Sequence, residues 1–187
     1  MFTLDYKIIR HDYEGIPGAA GFFRITCGPL EYGEYWPSEI ERHMATYWLM
    51  PWFRDFAEML LSLKKERYIA LIDIENYRGW LEFTYADDKV YLNIADANAD
   101  VKPSFILKGE NERLSQDTPR RFPDNIFCSY QQFRDVIVQK TTQYLTEVIA
   151  LNQGTFSASA PHCEEAASFR ANVERLQQAL AEFAAMD

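Results

Sequence analysis

Cysteine is scarce in this 187-residue chain: Cys27, Cys128 and Cys163 are the full complement, widely spaced and without a CxxC pair. That excludes a disulfide-dense scaffold and a zinc site built from four thiolates, and it fits a reducing, cytoplasmic setting. Histidine is equally sparse, with His11, His43 and His162 and no HxxxH spacing. Glu39 and His43 stand one helical turn apart, but two ligands do not make a metal site, so neither a metal nor a cofactor is expected. His162-Cys163 opens the last helix, where a thiol pKa falls, yet Glu164 and Glu165 beside it oppose a thiolate. There is no GxSxG elbow, no P-loop and no GxGxxG after a strand, so no catalytic residue is assigned. Long apolar runs are missing too. The most apolar stretch, Ala45–Leu63, contains Pro51 and carries Arg54, Asp55 and Glu58. It reads as a buried helix pair broken near the proline, not as a membrane span. The first residues lack the basic start and apolar core of a signal peptide.

What the chain has in excess is acid and aromatic rings. Asp and Glu number 28 against 19 Lys and Arg, a net charge of −9, and aromatics make up 15%. An acidic surface repels phosphate backbones, which argues against a nucleic-acid partner, and it attracts a basic one. Rings beyond those a core needs are the usual anchors of protein interfaces.

Local patterns give an α+β protein: an antiparallel β-meander sheet with helices packed on one face, in a single domain over residues 1–187. Thr3–Tyr13 and the segment GFFRITCG, Gly21–Gly28, read as a hairpin around Gly15-Ile16-Pro17-Gly18. Ser38 and Glu41 have the spacing of a capping box that opens a helix. Arg67–Glu75, Gly79–Ala86 and Lys89–Asp96 read as three consecutive strands, turned at residues 76–79 and at Asp87-Asp88. That register sets Phe83 against Leu92, Leu81 against Ile94, Ile74 against Leu81 and Ile72 against Phe83. Ser104–Lys108 is an edge strand, and Gly109–Asn125 a long loop of the kind that is often functional or mobile. Ser129 and Gln132 cap a helix running to Ile149. Gly154–Pro161 is a linker, and a final helix carries Phe169, Val173, Leu176, Leu180 and Phe183 as one stripe.

The same register puts Asp73, Glu75 and Glu82 on the face opposite the core, with Asp73 across from Glu82 and Asn93 beside it. Such a face is a solvated outer surface, a receptor for a partner's Lys or Arg, or a source of carboxylates with raised pKa for acid–base work. Pro119-Arg120-Arg121-Phe122-Pro123 places two cations where they can meet an anion, a partner or solvent. In the aromatic run from Tyr32 to Phe56 most rings are core, and Trp36, next to Tyr35, is expected to be the exposed anchor.

The order of parts resembles small bacterial immunity proteins that accompany polymorphic or contact-dependent toxins. The likeness lies in the hairpin ending GFFRITCG, the aromatic segment Tyr35–Phe56 leading into a helix, and the meander RYIALIDIE, GWLEFTYA and KVYLNIA, within residues 1–96. It implies a cytosolic, non-catalytic inhibitor that covers a toxin's active site, with a basic protein toxin as partner. The binding residues expected on charge and exposure are Asp73, Glu75, Glu82, Trp36 and Tyr35. The competing readings are a small enzyme or ligand-binding module with an acidic pocket between sheet and aromatic helix, and a homodimer formed through the Phe169–Phe183 stripe.

Overall fold

A computed structural model describes residues 1–9, 16–35, 47–74, 79–97, 105–123, 125–153 and 164–185. The capping box at Ser38, the linker at 154–161 and all three histidines lie outside these residues. In chain order the elements are β1 (Phe2–Ile8), β2 (Ala20–Cys27), β3 (Leu30–Glu34), β4 (Tyr47–Trp48), α1 (Leu49–Glu66), β5 (Tyr68–Ile72), β6 (Gly79–Ala86), β7 (Lys89–Asp96), β8 (Ile106–Lys108), β9 (Phe127–Ser129), α2 (Tyr130–Leu151) and α3 (Glu164–Ala185). One sheet has the order β1-β2-β3, with β4 also paired to β2; the other runs β8-β5-β6-β7-β9. Antiparallel sheets combined with helices make this an α+β fold.

By its contacts the chain divides into two compact units. The first comprises Met1–Thr3, Ile25–Tyr32 and Met59–Val136. Its sheet is built on the β6–β7 hairpin, where Phe83 faces Leu92 and Leu81 faces Ile94, as the alternation requires. The turn is Asp87-Asp88, both in the left-handed region with φ of 50° and 56°, the geometry that matches the twist of a two-residue hairpin. Phe133 of α2 packs on Phe83 at 5.5 Å and on Phe2 at 4.7 Å.

The β5–β6 register differs from the sequence expectation. Ile72 lies opposite Trp80, Leu71 opposite Leu81 and Ile69 opposite Phe83. The shift is three residues, and an odd shift turns a strand over. Ile69 and Leu71 therefore share the face of Leu81 and Phe83, while Tyr68, Ala70 and Ile72 join Trp80 on the other. That second face is also core: Tyr68, Ala70, Ile72, Trp80, Ala95, Leu107 and Leu114 form one buried cluster. Its cover is the segment read from sequence as an unstructured loop. β8 pairs with β5 at the edge, as expected. Residues 119–122 then run beside β7, through the bridge Ala95–Arg120 and hydrogen bonds from Asp96 N to Pro119 O and Arg121 N to Ile94 O.

The second unit comprises Leu4–Arg24, Gly33–Glu58 and Ile137–Asp187. Its core is aromatic: Phe53 stacks on Tyr144 at 4.3 Å, Tyr6 meets both edge-on, and Phe23 packs on Trp52 at 4.9 Å. Tyr144 Oη donates to Gly18 O at 2.9 Å and Asn152 Nδ2 donates to Pro17 O at 2.7 Å, tying α2 to the turn before β2. Pro51 does not break a helix pair. α1 begins at Leu49, so the proline sits in its first turn, where the helix has no acceptor for the missing N–H. Tyr47 and Trp48, expected to be helical, are the short strand β4 against Gly21 and Ala20. The α3 stripe is covered within the chain, with Phe169, Val173, Leu176 and Phe183 each at most 4% exposed, so these four side chains offer no free apolar face to a second copy.

Candidate functional site

Glu82, expected on an open acidic face, is 4% exposed and lies opposite Ala70 and Asn93. Burying a carboxylate is costly unless it is paired and hydrogen-bonded, and here both conditions are met. Arg120 Nε donates to Oε2 at 2.8 Å and its Nη2 to Oε1 at 3.0 Å, a bidentate clasp, while Tyr68 Oη donates to Oε1 at 2.8 Å. The remaining Arg120 nitrogen, Nη1, donates to the carbonyls of Ser115 and Thr118. Leu114 N in turn donates to Tyr68 Oη at 3.3 Å, and the Arg113 guanidinium lies 4.6 Å over the Tyr68 ring. Burial, reinforced by the adjacent Glu82 charge, pushes the Tyr68 phenol well above its ordinary pKa.

Asp73 is buried at 7% and, by the β5 register, sits beyond Leu71 on the other face, so it is not across from Glu82. Its backbone N–H donates to Gly79 O. Glu75 lies outside the described residues. Asn93 flanks Glu82 as expected, but it too is bonded inward: Nδ2 donates to Phe122 O at 2.8 Å, and Oδ1 accepts from Phe122 N at 3.2 Å and Ile94 N at 2.9 Å. The two arginines of the PRRFP segment are likewise engaged, Arg120 on Glu82 and Arg121 on Asp96 at 2.6 Å. Glu82 and Asn93 thus belong to an internal network that fastens a covering segment to a sheet. Among the described residues no group of three or more His, Cys, Asp or Glu is placed to hold a metal.

The exposed rings are elsewhere. Trp48 is 48% exposed, whereas Trp52 and Trp80 are fully buried. Tyr35, at the end of β3, is half-buried under the Arg24 guanidinium, 5.6 Å from its ring centre. Because β1 occupies one edge of β2, β3 and β4 share the other, and Tyr35 and Trp48 lie along the same edge. Glu34, next to Tyr35, is exposed. Trp36 lies outside the described residues. Sequence reasoning passed over Trp48 by assigning it to a helix; it is a strand residue opposite Ala20, with Tyr47 opposite Gly21. A Cβ on that glycine would collide with Lys7 O, so the glycine marks a close approach of the β1 backbone at the point where β4 pairs with β2. Phe127 of β9 is a second exposed ring, 44% exposed, with Tyr91 at 5.4 Å and Lys89 Nζ 4.4 Å from its centre.

No protein-family model matches the chain, and no curated protein or solved structure matches it.

Proposed function

We propose that this chain is a non-catalytic binding protein that neutralises a basic protein toxin, in the manner of an immunity protein, through the aromatic edge carrying Tyr35 and Trp48. The observation that carries the reading is a tryptophan, Trp48, left half in solvent on a sheet edge, on a chain of net charge −9. Rigid rings of this kind bury much area at little entropic cost when a partner covers them. The excess negative charge speeds encounter with a basic surface. The carboxylates do not favour the enzyme reading, since both Glu82 oxygens already accept from Arg120 and Tyr68.

The test is affinity capture with the tagged chain, followed by separate expression of whatever single basic protein binds stoichiometrically. A captured protein that arrests growth alone and is harmless when co-produced supports neutralisation. A captured protein with no toxicity, or binding unaffected by Trp48→Ala, counts against the proposal.

A further inference from the structure

Three elements of the first unit come together at one place. Lys64 lies in the last turn of α1, Tyr85 is the last residue but one of β6, and Tyr130 is the first of α2. Two backbone hydrogen bonds hold these ends: Tyr85 N donates to Arg67 O at 2.8 Å, and Tyr130 N donates to Asp88 O at 2.8 Å. Asp88 serves twice, because its Oδ1 also accepts from Tyr85 Oη at 2.7 Å. One turn residue thus fixes both tyrosines. Their rings form a corner, with an interplanar angle of 78° and centres 5.4 Å apart.

A cation sits in that corner. Lys64 Nζ is 4.3 Å from the centre of the Tyr130 ring and 5.9 Å from that of Tyr85, both within the reach of cation–π attraction. Among the described residues the Lys64 ammonium has no carboxylate partner, whereas Lys65 beside it pairs with Glu66 at 3.4 Å. The rings, with the negative end of the α1 dipole, are what hold it. Arg67 opposes Asp88 in acting on the Tyr85 hydroxyl, which leaves the ring faces as the feature that selects a cation. Lys64 is exposed and both tyrosines are half-buried, so the corner is open to solvent. An ammonium held by exposed rings is held weakly, and an exposed lysine changes rotamer rapidly.

We propose that Tyr85 and Tyr130 form a binding site for an organic ammonium group from outside the chain, and that Lys64 occupies it in the free protein. Two ring faces near a right angle are half of the aromatic cage that recognises methylated ammonium. A methylated group lays apolar surface on the rings and gives up less hydration than the compact ammonium of a lysine, so it competes well with Lys64. The site is independent of the neutralising role proposed above. Its ligand is either a free quaternary amine or a lysine side chain of another protein, and the choice of probe tells the two apart.

The ring protons of Tyr85 and Tyr130 are followed by NMR in the full-length protein while tetramethylammonium chloride replaces sodium chloride at fixed ionic strength. N-acetyl-lysine methylamide is titrated separately. The expected result is a saturable shift centred on the two rings, with an apparent affinity about fivefold higher in Lys64→Ala, because the resident cation no longer closes the site for most of the time. Lys65→Ala removes the same charge without emptying the corner, and should change the affinity by less than about twofold. Tyr130→Leu keeps bulk but no ring face, and should abolish the response at Tyr85, with the β6–β7 amide shifts as the check on folding. If a variant loses that amide pattern, the wild-type titration decides alone. A response to the lysine derivative as strong as that to tetramethylammonium supports a protein side chain as the ligand, and a response to tetramethylammonium alone supports a free quaternary amine. No saturable shift with either probe, equal affinity in the wild type and Lys64→Ala, or an undiminished response in Tyr130→Leu would each overturn the proposal.

Discussion

Glu82 and Arg120 carry opposite charges with side chains only 5% and 20% exposed, and each is costly without the other. Glu82→Ala should destabilise the chain by about 3 kcal/mol, because it leaves the guanidinium desolvated without its counter-charge. Urea unfolding should show the drop, and replacing Arg120 by Leu in the same chain should recover part of it. A charge reversal, Glu82→Lys, should abolish folding instead of slowing association. The buried phenols set a limit at high pH. Burial raises the pKa of Tyr6, Tyr68 and Tyr144, with the Glu147 hydrogen bond adding to the effect at Tyr6 and the Glu82 charge at Tyr68. Each keeps its proton in the folded chain at a pH where the unfolded chain releases it, about 10. Their contribution to stability is therefore whole below that pH and falls as pH rises above it. Melting temperatures measured from mildly to strongly alkaline pH should decline over the upper part of the range, and Tyr144→Phe should flatten the decline.

At the scale of elements, the segment after β8 holds its place through side chains that mimic strand pairing. Asn93 exchanges hydrogen bonds with both backbone groups of Phe122, so Asn93→Ala removes two links at once. Hydrogen exchange at the Arg121 and Asp96 amides should then quicken by at least about tenfold, with the β6–β7 amides unchanged. Equal acceleration throughout the sheet would mean that the cover and the hairpin open together. α2 has a simpler logic. Ser129 Oγ accepts from Gln132 N at 3.2 Å, so the cap expected from Ser-x-x-Gln is present, and Ser129→Ala should cost about 1 kcal/mol.

For the molecule as a whole, a net charge of −9 bears on association more than on the fold. If the Tyr35–Trp48 edge receives a basic partner, Trp48→Ala should weaken binding by about 30-fold or more, mainly through faster dissociation. Glu34→Lys should mainly slow association, and added salt should slow the wild type in the same way. Stopped-flow or surface-binding kinetics on the captured partner separates the two effects.

Much of this protein can be read from local chemistry. The β6–β7 hairpin follows from two aspartates at a turn between two strand-forming runs, because a two-residue loop fixes the register by itself. The serine cap of α2 and the acidic charge are written in the same way. β5 is different. Tyr68–Ile72 is apolar at every position and buried at every position, so its pattern fits either register and cannot say which way its side chains point. Pairing with β6 made that choice, and it left Asp73 and Glu82 buried on opposite faces of the sheet. The partners of Glu82 and Asn93, Arg120 and Phe122, lie far along the chain, where no spacing rule reaches. Local sequence determined the β6–β7 hairpin with its turn, the edge strand β8 and the start of α2, while β4 was set by pairing with β2. Only tertiary packing decided which faces were buried and which charges met, because those outcomes depend on contacts between residues that are distant in the chain.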